Sequence, residues 1–126
     1  EEVQLCERHL EIMAYRYNIS CRLDVQGDVT GISIPPAIIH TQIENCFSHN
    51  HVPADSTFKL EVNRSFNDIE LILTTPYDKK TKATGSGIGE RYILSRLTEK
   101  FGEEYTYQSY ADENSWTNKI KFKAQL

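Results

Sequence analysis

The sequence has few cysteines and no long hydrophobic run, and both absences narrow the class of protein. Its three cysteines, Cys6, Cys21 and Cys46, are odd in number and show no C-x-x-C spacing. This pattern favours free thiols in a reducing compartment over a disulfide framework or a zinc site. No apolar run approaches the roughly 18 residues of a membrane-spanning helix, and no signal-peptide pattern opens the chain. We therefore expect this segment to be cytoplasmic.

The chain also lacks an excess of basic residues. It has 14 Lys and Arg against 18 Asp and Glu, a net charge of −4 at pH 7. This balance argues against a sequence-independent nucleic-acid binder, which needs basic side chains to neutralise phosphates. With 39% hydrophobic residues over 126 positions, the chain has enough apolar side chains for one core. We expect a single domain over residues 1–126, cut from a longer protein, because the chain begins already in helical register.

Hydrophobic periodicity predicts helices alternating with mostly antiparallel strands. The first half is predicted to contain a helix over 2–17, a strand over 18–27 and a helix over 37–50. A hairpin of strands over 56–65 and 68–75 follows, and then a loop to 86. The last part is predicted to contain a helix that ends at Phe101, with Gly102 at its C′ position, and strands over 105–110 and 118–124. Three tyrosines of the strand at 105–110 are expected to pack on the sheet. This order favours an α+β fold, a two-layer α/β sandwich with the helices on one face of a mixed sheet.

Three of the six glycines fall within five residues, at Gly85, Gly87 and Gly89, directly before a helical pattern. Glycine lets a backbone approach a ligand closely, and a helix N-terminus can bind phosphate. The segment is not a P-loop, because no G-K-[S/T] follows, and its spacing is not that of a dinucleotide-binding fingerprint. From the spacing alone, a flexible turn and a phosphate-binding loop both remain open.

A second polar feature lies on the helix predicted over 37–50, where Asn45 and His49 are four residues apart and Glu44 precedes Asn45. Residues at i and i+4 share a helix face. An amide oxygen suits Mg²⁺, which usually takes further ligands from substrate phosphates. A polar helix face turned to water explains the same pattern equally well.

The remaining histidines receive simple interpretations. His9 and His51 are expected to be solvated. His40, His49 and Cys46 have helical spacings, but a fourth ligand and a recognisable motif are missing from the sequence. A zinc site is therefore not expected.

Taken in order, the stretch "IPPAIIHTQIENCFSHN" and the later "GSGIGERYILSRL" resemble the ATP-binding domain of sensor histidine kinases. The resemblance is to the LytS-type branch of the GHKL superfamily, where the pattern is approximately "PPLLLQPLVENAIKHG" and then "GTGIGLKNVRERL". It extends to the opening "LCERHLEIMAYRYN" and the closing "WTNKIKF". It implies the Bergerat (GHKL ATPase) fold, with ATP and Mg²⁺ as ligands.

The resemblance also implies roles for individual residues. Asn45 matches the N-box asparagine, which coordinates Mg²⁺ between the protein and the nucleotide phosphates. Glu44 matches the neighbouring catalytic acid, which acts on groups around the γ-phosphate, and His49 matches a position against the nucleotide. The G2 box, whose backbone N–H groups meet phosphates at a helix N-terminus, is matched by Gly85, Ser86, Gly87, Ile88 and Gly89.

The family's G1 box, approximately D-N-G-x-G, is not retained. Its adenine-binding position falls at Thr75, followed by Pro76 and Tyr77, so the carboxylate and both glycines are replaced. Ser48 stands where a phosphate-facing lysine is usual, and Glu90 follows the glycines, where it would repel a nearby phosphate. The alternative to a working ATP site is therefore a degenerate GHKL domain that acts as a signalling or interaction module.

The activity implied by the family is transfer of the γ-phosphoryl group of Mg·ATP to a histidine on a separate upstream dimerisation helix. No segment like the family's "HFxFN" acceptor motif is present in the sequence, so the chain corresponds to a catalytic half. The implied partners are the phosphoacceptor helices of the same protein in a homodimer, and a response regulator. The implied parent is a membrane-anchored kinase, and no nucleic-acid partner is implied.

Overall fold

A computed structural model describes residues 2–29, 32, 34, 38–49, 55–76, 88–112 and 114–123, with the backbone alone at positions 2, 45, 48, 49 and 88–90. The helices and strands follow the predicted order with small shifts at their ends. They are α1 (Glu2–Tyr17), β1 (Ser20–Gln26), α2 (Ile38–His49), β2 (Asp55–Arg64), β3 (Asp68–Pro76), α3 (Ile88–Phe101), β4 (Tyr105–Ala111) and β5 (Ser115–Lys123).

The five strands form one mixed sheet in the order β1-β2-β3-β5-β4. Strand β1 pairs in parallel with β2, and the other three pairings are antiparallel. Ser65 and Asp68 exchange backbone hydrogen bonds of 3.0 and 3.2 Å, so β2 and β3 form the predicted hairpin with a two-residue turn. A parallel pair needs a crossover between its strands, and α2 lies in the chain between β1 and β2.

The alternation of apolar and polar residues along the strands sets which face of the sheet is buried. Phe58, Leu60 and Val62 of β2 are buried between polar neighbours, and β3 and β5 repeat this pattern. Burying each such side chain contributes about 1.5–3 kcal/mol. The three helices supply the other half of the core, with Leu10, Ile38, Ile43, Ile93 and Leu97 fully buried. The predicted α+β fold with a helical layer on one sheet face is confirmed.

Two helices end in the left-handed backbone conformation. Asn18 has a φ of 53°, and the N–H groups of Asn18 and Ile19 donate to the carbonyls of Tyr15 and Ala14. This is the Schellman arrangement, which satisfies carbonyls left open at a helix end. At the end of α3, Gly102 has a φ of 64°, as predicted from its C′ position.

Only some of the apolar residues of α1 meet the core. Cys6 and Leu10 are buried, whereas Leu5, Ile12 and Tyr17 are 44%, 61% and 51% exposed. Periodicity identified the helix, but the apolar residues lie on more than one side of it. The sheet therefore selects which of them are buried.

Candidate functional site

The C-terminal half of α2 lies against the end of β3. The ring of Phe47 stacks on Phe58 with 5.5 Å between ring centroids, and the Cys46 thiol donates a hydrogen bond of 3.3 Å to the carbonyl oxygen of Pro76. Pro76 is the last residue of β3. The turn of α2 that carries Asn45 is therefore held beside Thr75.

The predicted N-box residues all belong to α2. Glu44 is exposed, and its Oε2 lies 3.9 Å from Nδ1 of His40, one turn earlier. Asn45 is the next residue, and His49 is the last residue of the helix. The Asn45 and His49 side chains lie outside the described atoms, so their roles at a nucleotide or metal stay predictions.

Thr75, which the sequence resemblance places at the G1 position, is 4% exposed on the helix-covered face of the sheet. Its hydroxyl donates a hydrogen bond of 3.5 Å to the backbone carbonyl of Trp116, and the two residues are paired between β3 and β5. A buried hydroxyl can donate and accept hydrogen bonds, but it carries no charge. The end of β3 therefore presents a neutral group where the family has a carboxylate.

The C-terminal end of helix α3 packs at the opposite end of the sheet, where Phe101 stacks on Phe122 with 4.8 Å between ring centroids. The Tyr105 hydroxyl is 2.7 Å from the Thr98 hydroxyl.

Ile88 and Gly89 are the first residues of α3. The other predicted G2-box residues, Gly85, Ser86 and Gly87, lie outside the described residues.

Sequence reasoning missed a set of polar side chains beside Thr75. The Tyr107 hydroxyl donates a hydrogen bond of 3.0 Å to Oδ1 of Asn118, which is 8% exposed. The indole N–H of Trp116 donates to the Ser109 hydroxyl. In "WTNKIKF" the inward positions change from Trp and Asn to Ile and Phe. That break in the apolar alternation was the available signal.

The expectation that His9 is solvated is wrong. Its ring packs edge-on against His40, with 4.6 Å between centroids. Among the described residues its buried Nε2 has no hydrogen-bond partner. Burial lowers the pKa of His9, the nearby His40 lowers it further, and Glu44 partly opposes them. The ring therefore packs between α1 and α2 in surroundings that disfavour its protonated form. His51 lies outside the described residues.

The part of the chain that the structure describes contains no set of three His, Cys, Asp or Glu residues suited to a metal ion. Within the same residues, no helix has the length and apolar character needed to cross a membrane.

Burial raises the pKa of the Cys21 thiol, and this thiol donates a hydrogen bond of 3.3 Å to the carbonyl of Leu10. Cys21 thus helps to join β1 to α1.

Several solved protein structures share the fold of this chain. The catalytic domain of histidine kinase ThkA superposes with a TM-score of 0.64 at 8% identity, covering 97% of this chain and 90% of that one. This chain has the fold of histidine-kinase catalytic domains. No protein-family profile and no curated protein matched the sequence.

Two longer kinase structures contain the same fold. Acinetobacter baumannii histidine kinase AdeS matches with a TM-score of 0.64 at 12% identity, covering 98% of this chain and 64% of that one. The cytoplasmic segment of histidine kinase QseC matches with a TM-score of 0.61 at 12% identity, covering 98% of this chain and 73% of that one. This chain therefore spans part of the length of these kinase structures.

Proposed function

We propose that this chain is the ATP-binding catalytic domain of a LytS-type, two-component sensor histidine kinase. One observation carries the proposal. The C-terminal half of α2 lies beside the end of β3 at one end of the sheet, and α3 has its C-terminal turn at the opposite end. These are the elements in which the resemblance places the N box, the G1 position and the G2 box.

The residues at this end suit a nucleotide with its magnesium ion, because Glu44 is exposed on the turn of α2 held beside β3 and an amide oxygen follows at Asn45. Bound Mg·ATP supplies the phosphoryl group. In this proposal Asn45 binds the metal, and Glu44 holds the acceptor imidazole or its proton near the γ-phosphate. His49 lies against the nucleotide. The backbone N–H groups of 85–89 bind phosphate oxygens, so that catalysis is mainly positioning and charge stabilisation.

The proposal includes partners beyond this chain. The phosphoryl group passes to a histidine on upstream dimerisation helices of the same protein, in a homodimer, and then to a response regulator. The parent protein is anchored in a membrane with this domain on the cytoplasmic side. The likeness to a cytoplasmic segment of QseC supports that placement.

The hydroxyl of Thr75, in place of the family's carboxylate, favours a second candidate function. In it the chain is a degenerate GHKL domain used as a non-catalytic interaction module. The buried group at this position is a hydroxyl, hydrogen-bonded to the Trp116 carbonyl. A site that reads adenine through a carboxylate has lost that contact here. Nucleotide affinity is the property that separates the two functions.

Calorimetric titration of the chain with Mg·ATP tests the proposal. We expect saturable binding, and Asn45→Ala should weaken it by about thirtyfold, equivalent to about 2 kcal/mol, because a metal contact and its charge-assisted bonds are lost. Asn63→Ala is the matched control, since Asn63 is exposed on β2 and bonds only Glu70 among the described residues. Circular dichroism checks that both variants fold.

Thr75→Asp is the complementary variant. By restoring the family's carboxylate, it should strengthen binding of adenine nucleotides over guanine nucleotides. Absence of binding by the wild type at millimolar Mg·ATP, with no rescue by Thr75→Asp, contradicts the catalytic proposal and favours the interaction module.

A further inference from the structure

Strand β4 is the last strand on one side of the sheet, and among the described residues it pairs with β5 alone. We propose that the outer edge of β4 binds an extended segment of a partner protein that carries Lys or Arg at both ends. This segment adds a sixth strand to the sheet through backbone hydrogen bonds. The inference goes beyond the proposed function and does not depend on nucleotide binding.

The register with β5 determines which backbone groups of β4 point outward. The N–H of Asp112 donates a hydrogen bond of 2.7 Å to the carbonyl of Ser115, and the strands pair residue by residue from there. In an antiparallel pair, hydrogen-bonded positions alternate with positions whose N–H and C=O groups point away from the partner strand. Ser109 and Ala111 are positions of the second kind. Their backbone groups therefore face the outer edge, where a further strand can pair.

Strand β4 lacks the features by which edge strands usually avoid pairing with other chains. Such strands commonly carry charged side chains, proline or a bulge. The sequence YTYQSYA of β4 has neither charge nor proline, and all seven positions pair with β5 in one continuous register. The strand at the opposite edge, β1, carries the exposed charges of Arg22 and Asp24. Of the two edges, β4 is thus the one suited to a further strand.

Acidic residues at both ends of β4 argue against a second copy of this chain as the added strand. Glu103 and Glu104 precede β4 and Asp112 follows it. All three are exposed, and they form no ion pair among the described residues. Antiparallel pairing of two copies would bring Glu104 beside the partner's Asp112, and parallel pairing would bring each acid beside its own copy. Like charges directly opposite destabilise a strand pair.

The same acids favour a segment with basic ends, because opposite charges then meet at both ends of the added strand. The exposed side chains of β4 indicate what lies between those ends. Thr106, Gln108 and Tyr110 are exposed on the sheet face away from the helices. Beta-branched and aromatic side chains pair well across strands with Tyr and Thr. The expected partner segment is therefore a neutral, strand-forming centre between basic residues.

Fluorescence anisotropy of the chain with the labelled peptide KKTVTVTKK tests this inference. We expect saturable binding with a dissociation constant on the order of 100 μM. The peptide EETVTVTEE reverses the charges and should bind at least about tenfold more weakly. The peptide KKTPTPTKK keeps the charges but lacks two N–H donors, so it should not bind measurably. Equal binding of KKTPTPTKK would show charge attraction without strand pairing and would overturn the inference.

Amide hydrogen exchange locates the added strand. The outward N–H groups of Ser109 and Ala111 should exchange at least about tenfold more slowly when KKTVTVTKK is bound. Those of Gln108 and Tyr110 should change little, because they already bond β5. Unchanged exchange at Ser109 and Ala111 under saturating peptide would overturn the inference.

Reversing the charges of the chain should exchange its preference between the peptides. The double variant Glu104→Lys, Asp112→Lys should bind EETVTVTEE more tightly than KKTVTVTKK. The matched control is Glu7→Lys, Glu11→Lys, which makes the same change in net charge at exposed positions of α1 and should keep the preference of the wild type. Thermal melts establish that both variants fold, and the wild-type peptide series stands if one does not.

Sedimentation velocity of the chain alone tests the choice of partner. We expect a monomer, because self-pairing of β4 brings acids together. Self-association that Ala111→Pro abolishes would assign the edge to a second copy and overturn the inference. Peptide binding is measured without nucleotide, so a failure to bind Mg·ATP contradicts the proposed function alone.

Discussion

Gly27 and Gly102 both have positive φ, 99° and 64°, but their surroundings differ. A Cβ added at Gly102 would meet no atom within 4 Å, whereas one at Gly27 would collide with the backbone carbonyl of Val62. Gly102 is thus required only for its backbone conformation. Gly27 is required in addition because the end of β1 approaches β2 closely.

This difference predicts unequal costs for the same substitution. Gly102→Ala should lower the free energy of unfolding by about 1 kcal/mol, the penalty for an L-residue in the left-handed region. Gly27→Ala should cost more than about 2 kcal/mol, because the backbone must also shift. Urea denaturation of both variants measures the two values, and equal costs would contradict the role given to Val62.

The lowered pKa of His9 predicts how the free energy of unfolding depends on pH. Its pKa in the folded chain lies below the ordinary value of 6.5, so the unfolded chain binds more protons in the interval between the two values. The contribution of His9 to the free energy of unfolding is therefore fully present above about pH 6.5, and it falls as the pH drops through the interval. His40 and Glu44 are the titratable groups of α2 that act on His9.

Urea denaturation between about pH 7.5 and 5 should show a steeper loss of stability for the wild type than for His9→Gln, which removes the titrating ring. In an NMR titration, His40→Gln should raise the pKa of His9, because one of the two lowering influences is removed. An unchanged slope in His9→Gln would refute this account.

At the scale of elements, α3 joins the site to the core. Leu97 is fully buried, and the helix is fixed at its C-terminal end by Phe101 on Phe122. Ile88 and Gly89, which the resemblance assigns to phosphate binding, lie at its other end. The core packing of α3 therefore positions the helix to which these two residues belong.

Leu97→Ala should destabilise the chain by about 2–5 kcal/mol, the cost of a cavity in a packed core. Leu5→Ala makes the same change on α1, where the side chain is 44% exposed, and should stay within about 0.5 kcal/mol of the wild type. Thermal or urea melts compare the two, and similar losses would contradict the assigned burial.

At the scale of the whole molecule, the chain has a candidate nucleotide site but no acceptor motif of the family's kind. Incubated alone with γ-labelled Mg·ATP, it should not phosphorylate itself. Acid-labile, base-stable label retained on any of its four histidines, located by mass spectrometry, would contradict this expectation.

Local patterns predicted the elements well because their causes are local. The periodicity around Ile43 and the C′ glycine at 102 each depend on a few neighbouring residues. The position of Trp116 beside Thr75 depends on pairing across 41 residues, which alternation within a strand does not encode. Burial of His9 likewise depends on how α1 meets α2. The roles of Asn45 and the glycine segment came from family resemblance and remain predictions.

The paired strands β3 and β5 also lie at the boundary between two parts of the chain. One part, through Pro76, contains α1, α2 and three strands, and the other, from Ile88, contains α3 and the β4–β5 hairpin. Among the residues that the structure describes, their strands pair only along β3 and β5, where Thr75 bonds Trp116. A chain severed between Pro76 and Ile88 would thus carry half of the candidate site on each fragment. Nucleotide binding would then report fragment complementation.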